Sequence, residues 1–254
     1  MNPHDSWAHV YDLVNQESFG TLYTRLCSDT NHLCQQLCQQ SPAGRGTCSI
    51  LDIGAGTGRT AIPLAQQGHR VTAVEPSVPM CEEIRRKAAG KDFEKNLTIV
   101  SERIQDYQAK ENAYGLALCL FTVIAYITTE NDLTRTIQTI SRTLKSGGLF
   151  LLDIPQIELF RPDQSYQTQQ LQRKVHIARQ LNEENLYFYE ENAQITIGQK
   201  TIRYTDSFLL RRWSDEEIIN LCENNGLISQ EDQNQFLRER FGWTGAAYYL
   251  FRKT

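Results

Sequence analysis

No stretch of the 254 residues is rich in Lys or Arg, and the 26 basic side chains are outnumbered by 30 acidic ones. A protein that tracks a phosphate backbone carries a basic footprint, so nucleic acid is not an expected partner. Long apolar runs are also missing. The longest, Leu116 to Ile127, is broken by Thr122 and falls far short of the ~20 residues that span a bilayer. The first residues, Met1-Asn2-Pro3-His4-Asp5-Ser6, lack the charged segment and apolar segment of a secretory signal. A cytoplasmic chain without membrane contact is expected. The 7 cysteines are an odd number without framework spacing, which suits reduced, mostly buried thiols. Cys34 and Cys38 stand four apart beside His32, but no second Cys/His cluster completes a four-ligand site, so no metal is expected.

What the chain does have is enough apolar residue, 40% by the nine-letter count, to bury a core of one large domain carrying an insertion. Residues 5–15 and 17–40 have helical spacing, with Leu22, Leu26, Leu33 and Leu37 on one stripe, until Ser41-Pro42-Ala43-Gly44-Arg45-Gly46 ends the run. Strands then alternate with helices. Strands are predicted at 48–53, 70–75, 97–100, 116–121 and 149–153, and helices at 59–67, 78–89 and 131–144, with Gly147-Gly148 as a turn. Such alternation implies a parallel sheet covered on both faces, a doubly wound α/β unit. Beyond Pro155 the period drops to two, at 174–179, 186–189, 194–197 and 201–210, around a Gly198-Gln199 turn, which reads as antiparallel hairpins. Ser214 with Glu217 opens a helix to Asn224, and Gly245 to Phe251 is a last strand.

The most informative segment is Leu51-Asp52-Ile53-Gly54-Ala55-Gly56-Thr57-Gly58, at a strand-to-helix junction. Glycines there let a ligand approach the main chain closely. The third glycine comes one residue too early for the dinucleotide fingerprint G-x-G-x-x-G, and no Gly-Lys-Ser/Thr follows for a P-loop. Glu75 ends the second strand, 21 residues beyond Gly54, where an acid accepts ribose hydroxyls.

In motif, spacing and element order, residues 45–155 resemble the class I S-adenosylmethionine-dependent methyltransferases, with Leu51 to Gly58 as their first motif and Val74-Glu75-Pro76-Ser77 as the next. The resemblance implies S-adenosyl-L-methionine as cofactor and a Rossmann-like seven-stranded sheet, with an N-terminal helical cap (1–44), a core (45–156), an inserted antiparallel β lid (157–212) and a C-terminal helix and strands (213–254). It further implies that Gly54, Ala55, Gly56 and Gly58 line the methionine and ribose portion, that Glu75 holds the ribose, and that Pro76 and Met80 flank the adenine. Leu120 and Phe121 would pass beneath the methionine moiety. Arg103 stands where the family often has an acid, which leaves Ile104 and Gln105 as adenine contacts and Glu102 as a substitute acid.

A sulfonium methyl is already electrophilic, so such an enzyme chiefly holds a nucleophile in line and excludes water. Candidates to take a proton or orient an acceptor are Tyr126, Asp153, His176 and Tyr11, each with core packing, capping or an exposed face as its alternative. Arg203, Arg211 and Arg212 either receive an anionic part of the acceptor or form a solvated strand face. The strand-four end, Cys119-Leu120-Phe121-Thr122, lacks the Asp/Asn-Pro-Pro-aromatic tetrad of amino-methylating nucleic-acid enzymes, and no acidic cluster resembles a catechol-type metal site. The expectation is N-methylation of a small metabolite by a monomer or homodimer. O-methylation is the near alternative, and an NAD-dependent oxidoreductase or a noncatalytic binding domain is the alternative of another class.

Overall fold

The computed structural model describes residues 2–42, 44 and 46–254, so Ala43 and Arg45, where the cap was expected to meet the core, lie outside the described residues. In chain order the elements are α1 (Tyr11–Phe19), α2 (Thr21–Gln40), β1 (Ser49–Ile53), α3 (Ala61–Gln66), β2 (Arg70–Val74), α4 (Val78–Ala88), β3 (Leu97–Val100), β4 (Tyr114–Cys119), α5 (Glu130–Thr143) and β5 (Leu144–Pro155). They continue with β6 (Asp163–Gln167), β7 (Leu171–Arg179), β8 (Leu186–Ile197), β9 (Lys200–Arg211), α6 (Asp215–Asn224), β10 (Leu227–Ser229), α7 (Glu231–Phe241) and β11 (Ala246–Lys253). Short 3-10 turns at Asp5–Val10 and Val123–Tyr126 complete the parts that matter for the site.

Seven strands form one sheet in the order β10-β11-β5-β4-β1-β2-β3. Only β11 runs against its neighbours β5 and β10. Successive side chains of a strand face opposite ways, and β5 shows the result. Leu149 and Leu151 join a core with α2, α3 and α7, while Phe150, Leu152 and Ile154 join a second core with α5 and α6. Both faces are therefore dry, and β4 is buried along its whole length. Helix starts follow local chemistry: Ser77 accepts from Met80 N at 3.2 Å, Thr129 accepts from Asp132 N at 3.1 Å, and Ser214 with Glu217 closes the expected capping box.

Some boundaries differ from the sequence reading. Gly147-Gly148 is not a free turn but a bulge inside β5, with Gly147 at φ 74°, where the pairing to β4 shifts register. The strand expected to reach Phe121 stops at Cys119, because Phe121 and Thr122 adopt left-handed backbone at φ 63° and 65°. Helix α7 and strand β10 were not anticipated. Among α7's residues only Asn234, Leu237 and Phe241 are buried, and this stripe is too narrow to stand out. Asn234 holds that corner, donating to Ser229 Oγ at 2.9 Å and accepting from Leu250 N at 2.6 Å.

Strands β6 to β9 form a separate antiparallel sheet. One face packs on the N-terminal segment through Trp7, Val10, Val14, Leu171, Ile195 and Tyr204, with the Trp7 and Tyr204 rings stacked at 4.6 Å. Strand β8 is continuous, where the sequence suggested two strands, because buried Glu191 occupies an inward position. Glu191 accepts from Arg173 Nε at 2.8 Å and Nη2 at 3.0 Å, and from the hydroxyls of Tyr189 and Tyr204. Arg173 reaches on to Ser18 Oγ at 3.0 Å, which fastens α1 to this sheet. Among the described residues, no helix is long and apolar enough to cross a membrane.

Removing one partner of a buried ion pair strands the other charge. Glu191→Ala should lower the unfolding free energy by about 3–5 kcal/mol in a urea titration. An Arg173→Met/Glu191→Leu double variant should recover most of that loss. A single variant as stable as the parent would contradict this account.

Candidate cofactor and acceptor site

The carboxyl ends of β1, β2 and β4 open onto one cavity of about 290 Å³. This is the edge of an open α/β sheet where ligands bind. The glycine loop forms its floor. Gly54 donates to Val74 O at 2.8 Å, and Gly56 donates to Glu75 Oε2 at 2.9 Å. Gly56 sits at φ 56° with open space where a side chain would project, so bare backbone faces the cavity. Gly58 differs from expectation: it does not line the cavity, and an added methyl would sit 2.8 Å from Ile62. Its role is to let the loop close onto α3 and α4.

Glu75 follows β2 and is nearly buried. Its two carboxylate oxygens accept from Gly56 N and from Ser77 N, the latter at 2.8 Å. Burial pushes its carboxyl above the usual range, and the two amide donors oppose that push. Asp52, at the end of β1, was not singled out from sequence. It lines the cavity, is 4% exposed, and its Oδ2 has no hydrogen-bond partner. Burial, together with the negative charge of Glu75, raises its carboxyl to about 7. Arg59 also lines the cavity, its guanidinium 3.9 Å from the centre of the Phe121 ring. These two residues flank the glycine motif directly, and that position was the signal available in the sequence.

The other expected cofactor contacts meet here. Ala55, Pro76, Met80, Ile104, Gln105, Leu120 and Phe121 all line the cavity. Arg103 does so as well, while the proposed substitute acid Glu102 does not; an acid at that wall comes instead from Asp132 at the start of α5. The roof is the N-terminal segment, with Asn2, Pro3, His4 and Tyr11 facing inward. It is tied down by acids: Asp5 accepts from Ser77 Oγ at 2.6 Å, and Asp12 accepts from Thr57 Oγ1 at 2.6 Å and from Lys87.

Of the four candidate catalytic residues, the structure brings two to the cavity, Tyr11 and Tyr126. Tyr126 Oη lies 2.9 Å from His4 Nε2, and burial holds its phenol well above the ordinary value. Asp153 sits behind the wall, where its Oδ1 accepts from Thr122 N at 2.9 Å and stabilises the left-handed Phe121-Thr122 turn. Burial raises its carboxyl to about 7. His176 is a correction: it lies on the exposed face of β7, its Nδ1 2.8 Å from Asp163, away from the cavity. Its neighbours Val175 and Ile177 point inward, so strict alternation sends His176 out.

Nor do the three arginines reach the site. Arg211 lies over Trp213 and donates to Thr128 O, Arg212 donates to Asn185, and Arg203 donates to Gln194. Cys34 and Cys38 are buried in the α2 core, and among the described residues no cluster of three or more His, Cys, Asp or Glu is placed to hold a metal.

Residues 50–148 match the family model described as a methyltransferase domain. The whole chain superposes on a S-adenosylmethionine-dependent methyltransferase from Clostridium acetobutylicum ATCC 824, with a TM-score of 0.74, 18% identity and 98% of each chain covered. It also superposes on S-adenosylmethionine-bound CalS10, an amino pentose methyltransferase of Micromonospora echinaspora, with a TM-score of 0.72, 17% identity, and 96% of this chain and 97% of that one covered. In sequence, it is 28% identical over 150 residues to a Geobacillus sp. (strain WCH70) protein, GWCH70_2453, a methyltransferase by name, covering 56% of this chain and 58% of that protein. The chain spans about half the length of the curated relatives it matches. Residues 50–148 thus match a methyltransferase domain, and the superpositions establish the fold alone.

The two buried aspartates carry a pH signature. Each holds its proton to about pH 7 in the folded chain, against 3.8 as the ordinary value. The folded state therefore binds protons more tightly, and its stability falls as pH rises from about 4 through about 7. Asp52→Asn removes one share of that fall. In thermal melts from pH 5 to 8 the variant should lose less stability than the parent; identical slopes would contradict the assignment.

Proposed function

We propose that this protein is an S-adenosylmethionine-dependent methyltransferase that transfers a methyl group to an amine nitrogen of a small metabolite. The observation that carries the reading is a pair of acids, Asp52 and Glu75, at the ends of adjacent strands on one cavity, beside bare glycine backbone and with one carboxylate oxygen unpartnered. A buried acid without a partner is costly, so this site suits a ligand that brings a cation and hydroxyls. Bound S-adenosylmethionine would supply an electrophilic methyl on a cationic sulfur.

The chain's own residues then have distinct tasks. Glu75 would accept the ribose hydroxyls with the lone pairs left free by its two amide donors. Asp52 would face the methionyl ammonium, and Arg59 the methionyl carboxylate. Ile104 and Met80 offer apolar surface to the adenine ring, with Asp132 and Gln105 as polar neighbours. The N-terminal segment, together with Leu209 of β9, forms the cover that would exclude water and present the acceptor. An amine acceptor is favoured by the likeness to an amino pentose methyltransferase over nearly the full chain. A small acceptor fits the modest cavity, and the acidic balance disfavours nucleic acid.

Calorimetric titration with S-adenosylhomocysteine, beside NAD under the same conditions, tests the cofactor. Only the former should bind, and Glu75→Ala should weaken it roughly 10- to 100-fold, the loss of charge-assisted hydrogen bonds. Binding of NAD, or of neither, would overturn the reading. Transfer of radiolabelled methyl to a panel of small amines would then identify the acceptor class.

A further inference from the structure

His4 combines three features that simple packing does not require. It is a non-glycine residue in left-handed backbone, φ 68° and ψ 2°. Its backbone N–H donates to Asp206 Oδ2 at 2.7 Å, and its Nδ1 lies 3.4 Å from the same oxygen. Its Nε2 lies 2.9 Å from Tyr126 Oη, and both His4 and Tyr126 face the cavity. Trp7 Nε1 donates to Asp206 Oδ2 at 3.0 Å, which fixes the carboxylate. The imidazole is enclosed edge-on by Trp7, Tyr126 and Phe208, with ring centres 5.0, 5.8 and 5.1 Å away. Carboxylate, imidazole and phenol thus stand side by side, drawn from three segments far apart in sequence, with Nδ1 at ion-pair distance from Asp206 but without a hydrogen bond to it, and with the phenol at the cavity wall. Strain of this kind persists where the surroundings over-determine it, commonly at functional positions.

We propose that Asp206, His4 and Tyr126 form a proton relay that removes the proton from an incoming ammonium acceptor, with His4 as the base. The inference rests on the amine reading above. A primary amine arrives as ammonium at neutral pH and has no lone pair to offer until a proton leaves. The acceptor N–H proton passes to Tyr126 Oη while the phenolic proton of Tyr126 passes to His4 Nε2. Tyr126 ends neutral, the amine keeps the freed electron pair, and an imidazolium forms beside Asp206. That proton later leaves to solvent from His4, which is 13% exposed.

The charged and titratable groups around His4 agree with this direction. Burial would raise Asp206, but the donors from His4 and Trp7 overcome it and hold its carboxyl below the ordinary value, so it stays anionic. Tyr126, from the 3-10 turn after β4, is held protonated by burial and serves as a conduit rather than a base. Tyr11 from α1 lies 5.3 Å away between ring centres, and the charge of Glu75 after β2 also couples to His4. An anionic Asp206 favours the proton on Nδ1 and leaves the Nε2 lone pair for Tyr126. Asp206 acts through His4 and is a positioning residue; His4 and Tyr126 face the acceptor.

The test has two arms. In ¹⁵N-labelled protein, imidazole spectra, with His4 assigned by its loss in His4→Gln, should show neutral His4 protonated on Nδ1. Tyr126→Phe should shift the bare Nε2 signal, and Asp206→Asn should weaken the Nδ1 preference. A neutral His4 protonated on Nε2 overturns the relay, whether or not an acceptor is known. In the second arm, methyl transfer is compared between primary alkylamines, ammonium at pH 7.5, and arylamines, already neutral. His4→Gln should cut kcat/KM for alkylamines by roughly 10²- to 10⁴-fold, the usual worth of general-base catalysis, and leave arylamines within about threefold. Tyr126→Phe, which removes one oxygen and keeps the ring, should show the same selectivity. Equal losses for both amine classes overturn the proposal. Failure to bind S-adenosylhomocysteine would instead count against the methyltransferase reading itself, while the imidazole spectra still decide the relay.

Discussion

Glu75 directly follows the second strand with each carboxylate oxygen bonded to a backbone amide, one from the glycine loop and one from Ser77, the cap of α4. That clasp fixes two loops from neighbouring strands against each other, and the shape of the cavity depends on it. The geometry follows from parallel strand order, since β1 and β2 pair in register and deliver their carboxyl ends side by side. It also has an energetic cost, because a carboxylate so nearly buried is held charged only by its donors. Asp52 one strand away pays more heavily, having an oxygen with no donor at all. The pocket therefore keeps two buried acids beside the cation of Arg59 at an energetic cost, a common relation between stability and function.

The roof of that pocket rests on a small apolar cluster of its own, in which Trp7, Val10 and Val14 meet Leu171, Ile195 and Tyr204. The N-terminal segment is held by Asp5, and by Asp12 of α1, reaching down to the loops after β2 and β1, and by Trp7 stacking on the second sheet. The second sheet is in turn anchored to α1 through the Arg173–Glu191 pair and Ser18. Cover and core are thus joined by polar links beside an apolar cluster that holds Ala125 and Phe160 with Val175, Ile177 and Tyr189 of the second sheet. Such links set orientation well and can be exchanged at modest cost.

Much of the core was legible because parallel strands buried on both faces read as short apolar runs, and Leu116 to Cys119 or Leu149 to Leu152 have few other interpretations. The glycine loop and Glu75 were legible by spacing. What escaped notice did so for physical reasons. Helix α7 buries only three side chains, one of them the polar Asn234, so its period is faint. Strand β8 reads as two strands because an inward Glu191 breaks the apolar alternation, and its pairing with distant Arg173 explains that position. Asn2 to His4 reach the cavity from a segment with no period at all, by contacts to residues dozens or hundreds of positions away. His176 shows the opposite case: its placement could have been read from Val175 and Ile177, whose inward preference sends the residue between them outward.

Asp52, with its carboxyl raised to about 7 and one oxygen unpartnered, is about half protonated near pH 7 and would face the cationic group that the proposed cofactor carries. The most direct measurement is calorimetry of S-adenosylhomocysteine binding near pH 7 in buffers of differing ionisation enthalpy. A ligand ammonium facing Asp52 would favour the carboxylate and lower its raised carboxyl from about 7. Release of a fraction of a proton for each ligand bound is expected, and its loss in Asp52→Asn. Binding heats independent of buffer in the parent protein would contradict it.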